Sequence, residues 1–399
     1  MNYIDLFAGC GGLSLGFYNA GIKGLFAVEK NKDAFSTLDY NLISNTQHFM
    51  WPKWLEKKNW DIDKLLIEHR EELLTLRNKV DIITGGPPCQ GFSLAGLRKT
   101  DDIRNQLMHS YIEFVKLINP KVLIFENVHG FTVAFKDKEN KKGMPFSEIL
   151  IKDLQALNYK VDYKVVNMSD YGVPQKRKRF ILFATREEID EKNFFSKLEN
   201  NREQFLAEKG IDLPVTVEQA ISDLEKRWGE TVSPDTKSFQ NGKYGLPQSN
   251  FQKLMRGNIK REGVVDSHRF AKHKDETIRI FKELMKVSEK SMRITPSMNL
   301  VDGLKKRGVT PLKNDTICPT ITSIPDDFIH YCEPRIMTVR EHARIQSFPD
   351  SYQFKGPYTT GGERRKKDVP RYTQVANAIP PLFSEQVGYV IQELIQERG

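Results

Sequence analysis

Short apolar runs alternate with amphipathic segments through the first 130 residues. Residues 3–7, 24–28, 59–62, 80–84 and 120–128 are predicted to form strands, and the strand at residues 59–62 leads into a segment with helical leucine spacing (Leu65, Leu66, Leu73, Leu74, Leu76). Another helical segment follows the first run and ends near Gly21. This alternation predicts an α/β fold with a doubly wound, mostly parallel sheet.

Glycines and carboxylates lie where these strands end. The first strand runs into Gly9 and Gly11, but this turn lacks the full glycine spacing of dinucleotide-binding sites. It therefore favours a nucleoside cofactor that the backbone approaches closely. Glu29 ends the second strand and is placed to accept hydrogen bonds from ribose hydroxyls. Taken alone, it is more often an exposed strand-end charge.

The strand at residues 80–84 continues into a stiff turn that presents Cys89. Pro87 and Pro88 restrict the backbone before the cysteine, and Gly91 allows it to turn afterwards. This is a suitable setting for a nucleophile. The alternative is a small buried hydrophobic residue, as most cysteines are.

Two later segments carry further candidate chemistry. Glu126 ends the apolar strand at residues 120–128, where its alternative role is a helix cap. Arg177 and Arg179 alternate, which predicts that they share one face of an extended segment. Without other motifs, this basic run would be a solvated surface.

The pattern changes between residues 186 and 334. Polar, turn-rich sequence replaces the alternation, with one clear helix predicted near residues 274–285. This predicts a second, smaller domain. His268 and His273 lack a fitting Cys or carboxylate partner, so no metal site is predicted.

Composition narrows the functional classes. The chain has 399 residues, a net charge of +9 and a pI near 9.1, which favours a polyanionic partner. Its four cysteines are widely spaced and suggest no disulfide framework. No signal peptide or run of about 18 apolar residues is evident, so we expect a cytoplasmic protein that does not enter membranes.

Taken in order, these residues resemble the motifs of the cytosine-C5 DNA methyltransferases of bacterial restriction-modification systems. Ala376 stands where the family usually has glycine, which affects only local backbone geometry. The joint order of the motifs makes the resemblance specific. The matching segments are residues 5–12, Glu29, Asp61, and residues 87–90, 102–107, 126–128, 171–179, 335–350 and 374–381.

The resemblance implies how the site works. Cys89 would add to carbon 6 of cytosine, Glu126 would assist at N3, and Arg177 and Arg179 would hold or activate the reacting groups. S-adenosylmethionine would be the cofactor, bound by Phe7, Gly9, Gly11, Glu29, Asp61, Pro87 and Asn377. The target base would be flipped out of double-stranded DNA, and the DNA-contacting residues would be Gln90, Ser93, Arg98, Lys99 and Arg104.

The resemblance also implies an organisation and partners. Residues 1–185 would form the catalytic domain, 186–334 the target-recognition domain, 335–370 the ninth motif and a hinge, and 371–399 a return to the catalytic domain. We expect a monomer on DNA, localised to the cytoplasm with the nucleoid, and a cognate restriction endonuclease as a partner.

Three other classes of protein fit the sequence less well. A transfer-RNA cytosine-C5 methyltransferase of the same fold should carry a Cys-Phe-Thr tripeptide, which this sequence lacks. A nicotinamide dehydrogenase would need the missing glycine spacing. A non-catalytic DNA-binding regulator should have lost Cys89, Glu126 or the arginine segment.

Overall fold

The computed structural model describes residues 1–88, 103–134, 144–289, 291–304, 308–359, 364 and 367–397, without the side chains of residues 103–105. These residues divide into two compact units. The first unit comprises residues 1–167, 178–203 and 384–399, and the second comprises residues 168–177 and 204–383.

The strands of the described residues are β1 (Asn2–Leu6), β2 (Lys23–Val28), β3 (Ile82–Gly85), β4 (Val122–Val128), β5 (Lys160–Asn167), β6 (Gln175–Lys176), β7 (Lys178–Thr185), β8 (Glu230–Val232), β9 (Gln240–Gly242), β10 (Thr310–Pro311), β11 (Cys318–Pro319) and β12 (Phe328–Ile329).

The α-helices of the described residues are α1 (Gly12–Asn19), α2 (Lys32–Leu38), α3 (Ile62–Glu68), α4 (Arg70–Leu74), α5 (Ile103–Ile118), α6 (Phe146–Ala156), α7 (Asn193–Asn200), α8 (Arg202–Glu208), α9 (Val217–Ile221), α10 (Asn250–Arg256), α11 (Asp275–Val287), α12 (Val339–Ile345), α13 (Arg371–Asn377) and α14 (Pro381–Gln396). A π-helical stretch, Asp39–Asn45, continues α2.

The first unit is built on one six-stranded sheet with the order β2-β1-β3-β4-β7-β5. The strands β2, β1, β3 and β4 are parallel, and β7 runs antiparallel to both of its neighbours. The chain goes from β1 to β2 on one side and then crosses to β3 on the other. In sheets of this kind ligands bind outside the carboxyl ends of the strands at such a reversal.

An extensive apolar cluster packs in this unit. It joins side chains of the sheet to side chains of α3, α5 and α6, because the strands and these helices each present apolar side chains that must be removed from water. Its members include Ile4, Leu6, Leu65, Ile83, Tyr111, Phe114, Leu123, Phe125, Leu150 and Leu154. The doubly wound, mostly parallel sheet predicted from the sequence is confirmed.

The second unit has little extended sheet. Its strands form the short pairs β10-β12, β11-β6 and β8-β9. The helix predicted near residues 274–285 is α11, Asp275–Val287. The expectation of one clear helix between residues 186 and 334 was wrong, because the short helices α7 to α10 also form there. Such short helices carry too few periodic residues to stand out from the sequence.

A second correction concerns residues 59–62. They form no strand. Asp61 is instead the N-cap of α3, with its side chain accepting from the backbone N–H groups of Asp63 and Lys64, and the leucine-rich segment is divided at His69 into α3 and α4. Beside β2, a single bridge joins Gly24 to Phe49. The predicted functional segments, residues 1–185, 186–334, 335–370 and 371–399, are defined by their roles in DNA methylation, so they stay predictions.

Candidate active site

The turn after β1 has an unusual backbone. Phe7, Gly9 and Gly11 all have positive φ angles, of 56°, 57° and 87°. A left-handed phenylalanine is uncommon and costs free energy, so the surrounding structure must hold it. A Cβ added to Gly9 would meet nothing within 4 Å, so glycine is required there for the backbone angle and leaves open space beside the turn.

The side chain of Asp5 stabilises this turn by hydrogen bonds to the elements around it. Its buried carboxyl group accepts hydrogen bonds from the hydroxyl groups of Ser14 in α1 and Thr84 in β3, and the Thr84 bond measures 3.2 Å. Burial raises the pKa of Asp5 to about 6, against the opposing effect of these two hydrogen bonds. One carboxyl group thereby joins β1, α1 and β3 around the glycine turn.

Glu29 stands at the end of β2 with its carboxylate tied to the same turn. Oε2 accepts from the backbone N–H of Gly9 at 2.9 Å, and Oε1 accepts from that of Asn31 at 2.6 Å. Burial raises the pKa of Glu29, although these backbone hydrogen bonds oppose the shift. The structure thus brings Gly9 and Glu29 together, as the sequence predicted.

Asp61 is oriented by a lysine that the sequence analysis did not select. Lys30, the residue after Glu29, places its ammonium group 2.7 Å from Oδ2 of Asp61. Desolvation opposes ionisation, but the hydrogen bond from Lys30 and those from the α3 backbone outweigh it and lower the pKa of Asp61. The neighbouring position of Lys30 and Glu29 in the sequence was the available signal.

The backbone leading towards Cys89 is pressed against two strand ends. A Cβ on Gly85 would lie 1.8 Å from the carbonyl oxygen of Leu6, and one on Gly86 would lie 2.0 Å from that of Glu126. Pro87 is buried, and its carbonyl oxygen accepts from Nδ2 of the buried Asn127 at 3.2 Å. Both glycines are therefore required by close approach, and Asn127 holds the chain two residues before Cys89.

Glu126 and Arg179 form an ion pair on adjacent antiparallel strands. Nε of Arg179 lies 2.9 Å from Oε1 of Glu126, and their side chains are 12% and 16% exposed. The register of β4 and β7, in which Val128 faces Arg179, sets this contact. The ion pair therefore lies next to Asn127, the residue that follows Glu126 in β4 and that donates a hydrogen bond to Pro87.

Arg177 belongs to the second unit and has different partners. Its buried guanidinium group donates through Nη2 to the carbonyl oxygens of Ala376 and Ala378, at 2.9 and 3.2 Å. Asn377 lies between them at the end of α13, and its side chain is exposed. Arg177 therefore joins residues 171–179 to residues 374–381, two of the segments that match the family motifs.

Two buried amides that the sequence analysis missed complete this connection. Gln346 donates to the carbonyl oxygens of Val375 and Ala378 and accepts from Gln175, whose own Oε1 accepts from the backbone N–H of Ile321. Both lie within segments that match the family motifs, but no local pattern distinguishes these two amides from exposed polar residues in the sequence.

Several predicted site residues lie outside the described part of the chain. They are Cys89, Gln90, Ser93, Arg98 and Lys99, and the side chain of Arg104, whose backbone begins α5, also lies outside it. Their catalytic and DNA-binding roles stay predictions.

The histidines considered for metal binding have protein partners. His268 is buried and bonds through Nδ1 to Thr338 and through Nε2 to the carbonyl oxygen of Leu224, at 2.8 and 2.7 Å. Burial lowers the pKa of His268 to about 4. Nε2 of His273 accepts from the backbone N–H of Ile336.

The excess positive charge belongs to one unit. Over the full sequence, the first unit contains 29 lysines and arginines and 29 acidic residues, whereas the second contains 32 and 23. The second unit therefore accounts for the whole net charge of +9. Among the described helices, none is long and apolar enough to cross a membrane.

Comparison with solved structures establishes the class of fold. The chain matches a prophage-encoded DNA modification methyltransferase from E. coli, with a TM-score of 0.67, 24% identity and 99% of each chain covered. It also matches the S. pombe Dnmt2 methyltransferase, with a TM-score of 0.54, 15% identity, and 100% and 99% covered. The central sheet is that of the S-adenosylmethionine-dependent methyltransferases.

Sequence comparison defines the family. The family model for C-5 cytosine-specific DNA methylases matches residues 1–393. The type II methyltransferase M.DdeI of Desulfomicrobium norvegicum is 33% identical over 96% of this chain and 87% of its own length. M.XorII of Xanthomonas oryzae pv. oryzae is 32% identical over 99% and 85%. This chain belongs to the C-5 cytosine-specific DNA methylases, and it is a DNA methyltransferase of the type II restriction-modification kind.

Proposed function

We propose that this enzyme flips a cytosine out of duplex DNA and methylates its C5 through a covalent bond between Cys89 and C6. The observation that carries the proposal is the Glu126–Arg179 ion pair, next to the Asn127 side chain that holds the Pro87 carbonyl. This arrangement supports a carboxyl group positioned close to the nucleophile.

The turn after β1 fits the adenosine part of S-adenosylmethionine. Open space lies beside Gly9, and Glu29 is held at the end of β2 by the Gly9 and Asn31 amides. We assign the ribose hydroxyls to Glu29, the adenine amino group to Asp61, and further contacts to Phe7, Gly11, Pro87 and Asn377. When bound, the cofactor supplies an electrophilic methyl group.

The chemistry of the chain's own groups follows from the weak nucleophilicity of C5. The Cys89 thiolate adds to C6 while the Glu126 carboxyl group provides a proton at N3, which makes C5 electron-rich. Arg179 keeps the Glu126 carboxyl group in position. After C5 is methylated, the proton on C5 leaves to a base, the C5–C6 double bond reforms, the thiolate is expelled and N3 returns its proton to the Glu126 carboxylate.

DNA recognition is assigned to residues 186–334, with Gln90, Ser93, Arg98, Lys99 and Arg104 contacting DNA beside the flipped base. Residues 186–334 contain 25 lysines and arginines and 24 acidic residues, so the positive charge of the second unit supports phosphate binding by that unit as a whole, and the assignment of base recognition to this segment follows from the family resemblance. We propose that the enzyme binds DNA as a monomer and that methylation of the host DNA protects it against a cognate restriction endonuclease.

The covalent step can be tested with a duplex containing 5-fluorocytosine at the target base, in the presence of S-adenosylmethionine. Fluorine cannot leave C5 as a cation, so elimination is blocked and the wild-type enzyme should form a denaturation-resistant complex with the DNA. Cys89→Ser should form none, because a serine hydroxyl is almost entirely un-ionised at neutral pH. Glu126→Gln should form it roughly 100- to 10,000-fold more slowly.

Cys332→Ser is the matched control, because Cys332 is an exposed free cysteine of the second unit. It should be trapped as efficiently as the wild type. Equal trapping of wild type and Cys89→Ser on a denaturing gel would refute the mechanism.

A further inference from the structure

An exposed two-stranded ribbon projects from a firmly held base in the second unit. It consists of β8, β9 and the loop between them, and we call residues 230–242 the ribbon. Glu230 pairs with Gly242, Thr231 with Asn241 and Val232 with Gln240. All three residues of β8 are exposed, with Val232 54% exposed.

The base of the ribbon is fixed by buried contacts. Asn241 is fully buried and donates to the carbonyl oxygen of Val265 at 3.0 Å. Gly242 packs so closely on His268 that a Cβ would lie 2.3 Å from the imidazole ring. Backbone hydrogen bonds from Gly242 to His268 and from Phe270 to Gln240 attach β9 to the next segment.

The loop of the ribbon is also anchored. Asp235 forms an ion pair with Arg371 at 2.7 Å and accepts from the Tyr358 hydroxyl at 3.1 Å. Arg269 stacks on Phe239 and on Tyr358, at 4.1 and 3.8 Å from the ring centres. These contacts restrict the loop without using its outward side chains.

The outward side chains are polar and uncommitted. Lys237, Ser238 and Gln240 are exposed, and in the described part of the chain their side chains make no hydrogen bond or ion pair. Three exposed lysines adjoin the ribbon: Lys243 follows it in the chain, Lys272 lies over the Phe239 ring at 5.1 Å, and Lys226 pairs with Glu230 at 3.3 Å. The combination is a rigid scaffold with free donors, an apolar contact at Val232 and surrounding positive charge.

We infer that this ribbon enters the major groove and that Val232, Lys237, Ser238 and Gln240 select the bases around the target cytosine. A two-stranded ribbon fits the major groove of B-DNA. There glutamine pairs with adenine, lysine with guanine, and an apolar side chain with the thymine methyl group. The nearby lysines balance phosphate charge. This inference rests on the proposed methylation of duplex DNA.

The test uses the full-length enzyme with S-adenosylmethionine and a library of duplexes randomised around a cytosine. Bisulfite sequencing gives the methylated sequence profile. Gln240→Ala and Lys237→Ala should each lower discrimination at one base pair by roughly tenfold. Lys253→Ala, an exposed lysine on α10 outside the ribbon, should keep the wild-type profile.

A ribbon variant that loses methylation is examined by competition binding. If the variant binds scrambled duplex as tightly as the wild type does but no longer binds the wild-type target sequence more tightly, base readout by the ribbon is supported. If it still prefers the target sequence, base readout is refuted. Active ribbon variants with the wild-type profile also refute it. Failure of the wild type to methylate any duplex would refute the proposed function instead.

Discussion

The two units differ in the charged groups that they bury. Both bury many apolar side chains, which in the first unit pack between the sheet and the helices, but the interior of the second unit is also rich in charged groups. In the second unit Arg344 pairs with Asp223 and Asp350, and Arg335 pairs with Glu341, all buried.

The difference follows from the backbone of each unit. Long parallel strands offer continuous apolar faces, so hydrophobic burial can hold the first unit together. In the described residues, the strands of the second unit are only two or three residues long, so they form no extended sheet face. Its segments are joined by charge-assisted hydrogen bonds as well as by apolar contacts, and these hydrogen bonds are directional and specify one arrangement. Different kinds of substitution should therefore destabilise the two units.

The largest effect is expected from breaking a buried pair in the second unit. Glu341 accepts from both terminal nitrogens of Arg335, at 2.8 and 2.7 Å, and from the Thr338 backbone N–H at 2.7 Å. Glu341→Gln should lower the free energy of unfolding, by up to about 3–5 kcal/mol, because it removes the fully buried counter-charge of Arg335 and leaves only the less buried Glu333 to pair with the guanidinium group. Denaturant unfolding measures this loss.

The control removes both charges. Arg335→Met combined with Glu341→Leu should cost less than Glu341→Gln alone, because neither fully buried charge remains and Glu333, which also loses Arg335, is 15% exposed and keeps the hydrogen bond from the Lys226 backbone N–H. A larger loss in the double variant would contradict the role given to charge pairing.

In the first unit, an apolar truncation should have the next largest effect. Leu123 of β4 is fully buried in the apolar cluster. Leu123→Ala should cost about 3 kcal/mol through lost burial and the cavity that remains. Ile67→Ala, at a position 80% exposed, is the matched control and should change the unfolding midpoint little. A Leu123→Ala loss below about 1 kcal/mol would show that the sheet is not the main source of stability.

The smallest expected effect is a difference between the two units in how their stability changes with pH. Burial raises the pKa of Asp5 to about 6, so its neutral form favours the folded first unit. This contribution is fully present below about pH 4, and it is lost as the pH rises through about 6. At most it amounts to about 3 kcal/mol. Burial lowers the pKa of His268 and of His342 to about 4, and their contribution to the second unit is lost as the pH falls from about 6.5 towards 4.

Hydrogen exchange followed peptide by peptide between pH 4 and 7.5 separates the two responses. The difference in protection between wild type and Asp5→Asn should shrink or reverse across this range in β1 and α1 peptides, while His268→Gln should alter the trend only in second-unit peptides. The same pH trend in Asp5→Asn as in wild type would remove Asp5 from the explanation.

Some features of the site could be predicted because their cause is local. Glu29 follows an apolar strand and the glycines follow another, so the contact between Gly9 and Glu29 was predictable from strand order alone. The Lys30–Asp61 pair was not, because its partners are separated by a segment whose path is irregular and which was predicted as a strand near residues 59–62. An N-cap and a strand end look alike in so short a stretch.

The class of fold, the family and the order of the motifs were predictable from the amino-acid sequence, because apolar periodicity and local turns depend on neighbouring residues. The contacts between charged and polar groups depend on how distant segments pack. The register of β4 and β7 joins Glu126 to Arg179, Asn127 reaches Pro87, and Arg371 anchors the ribbon through Asp235. These partners lie far apart along the chain, so their contacts depend on strand register and packing, which no local pattern encodes.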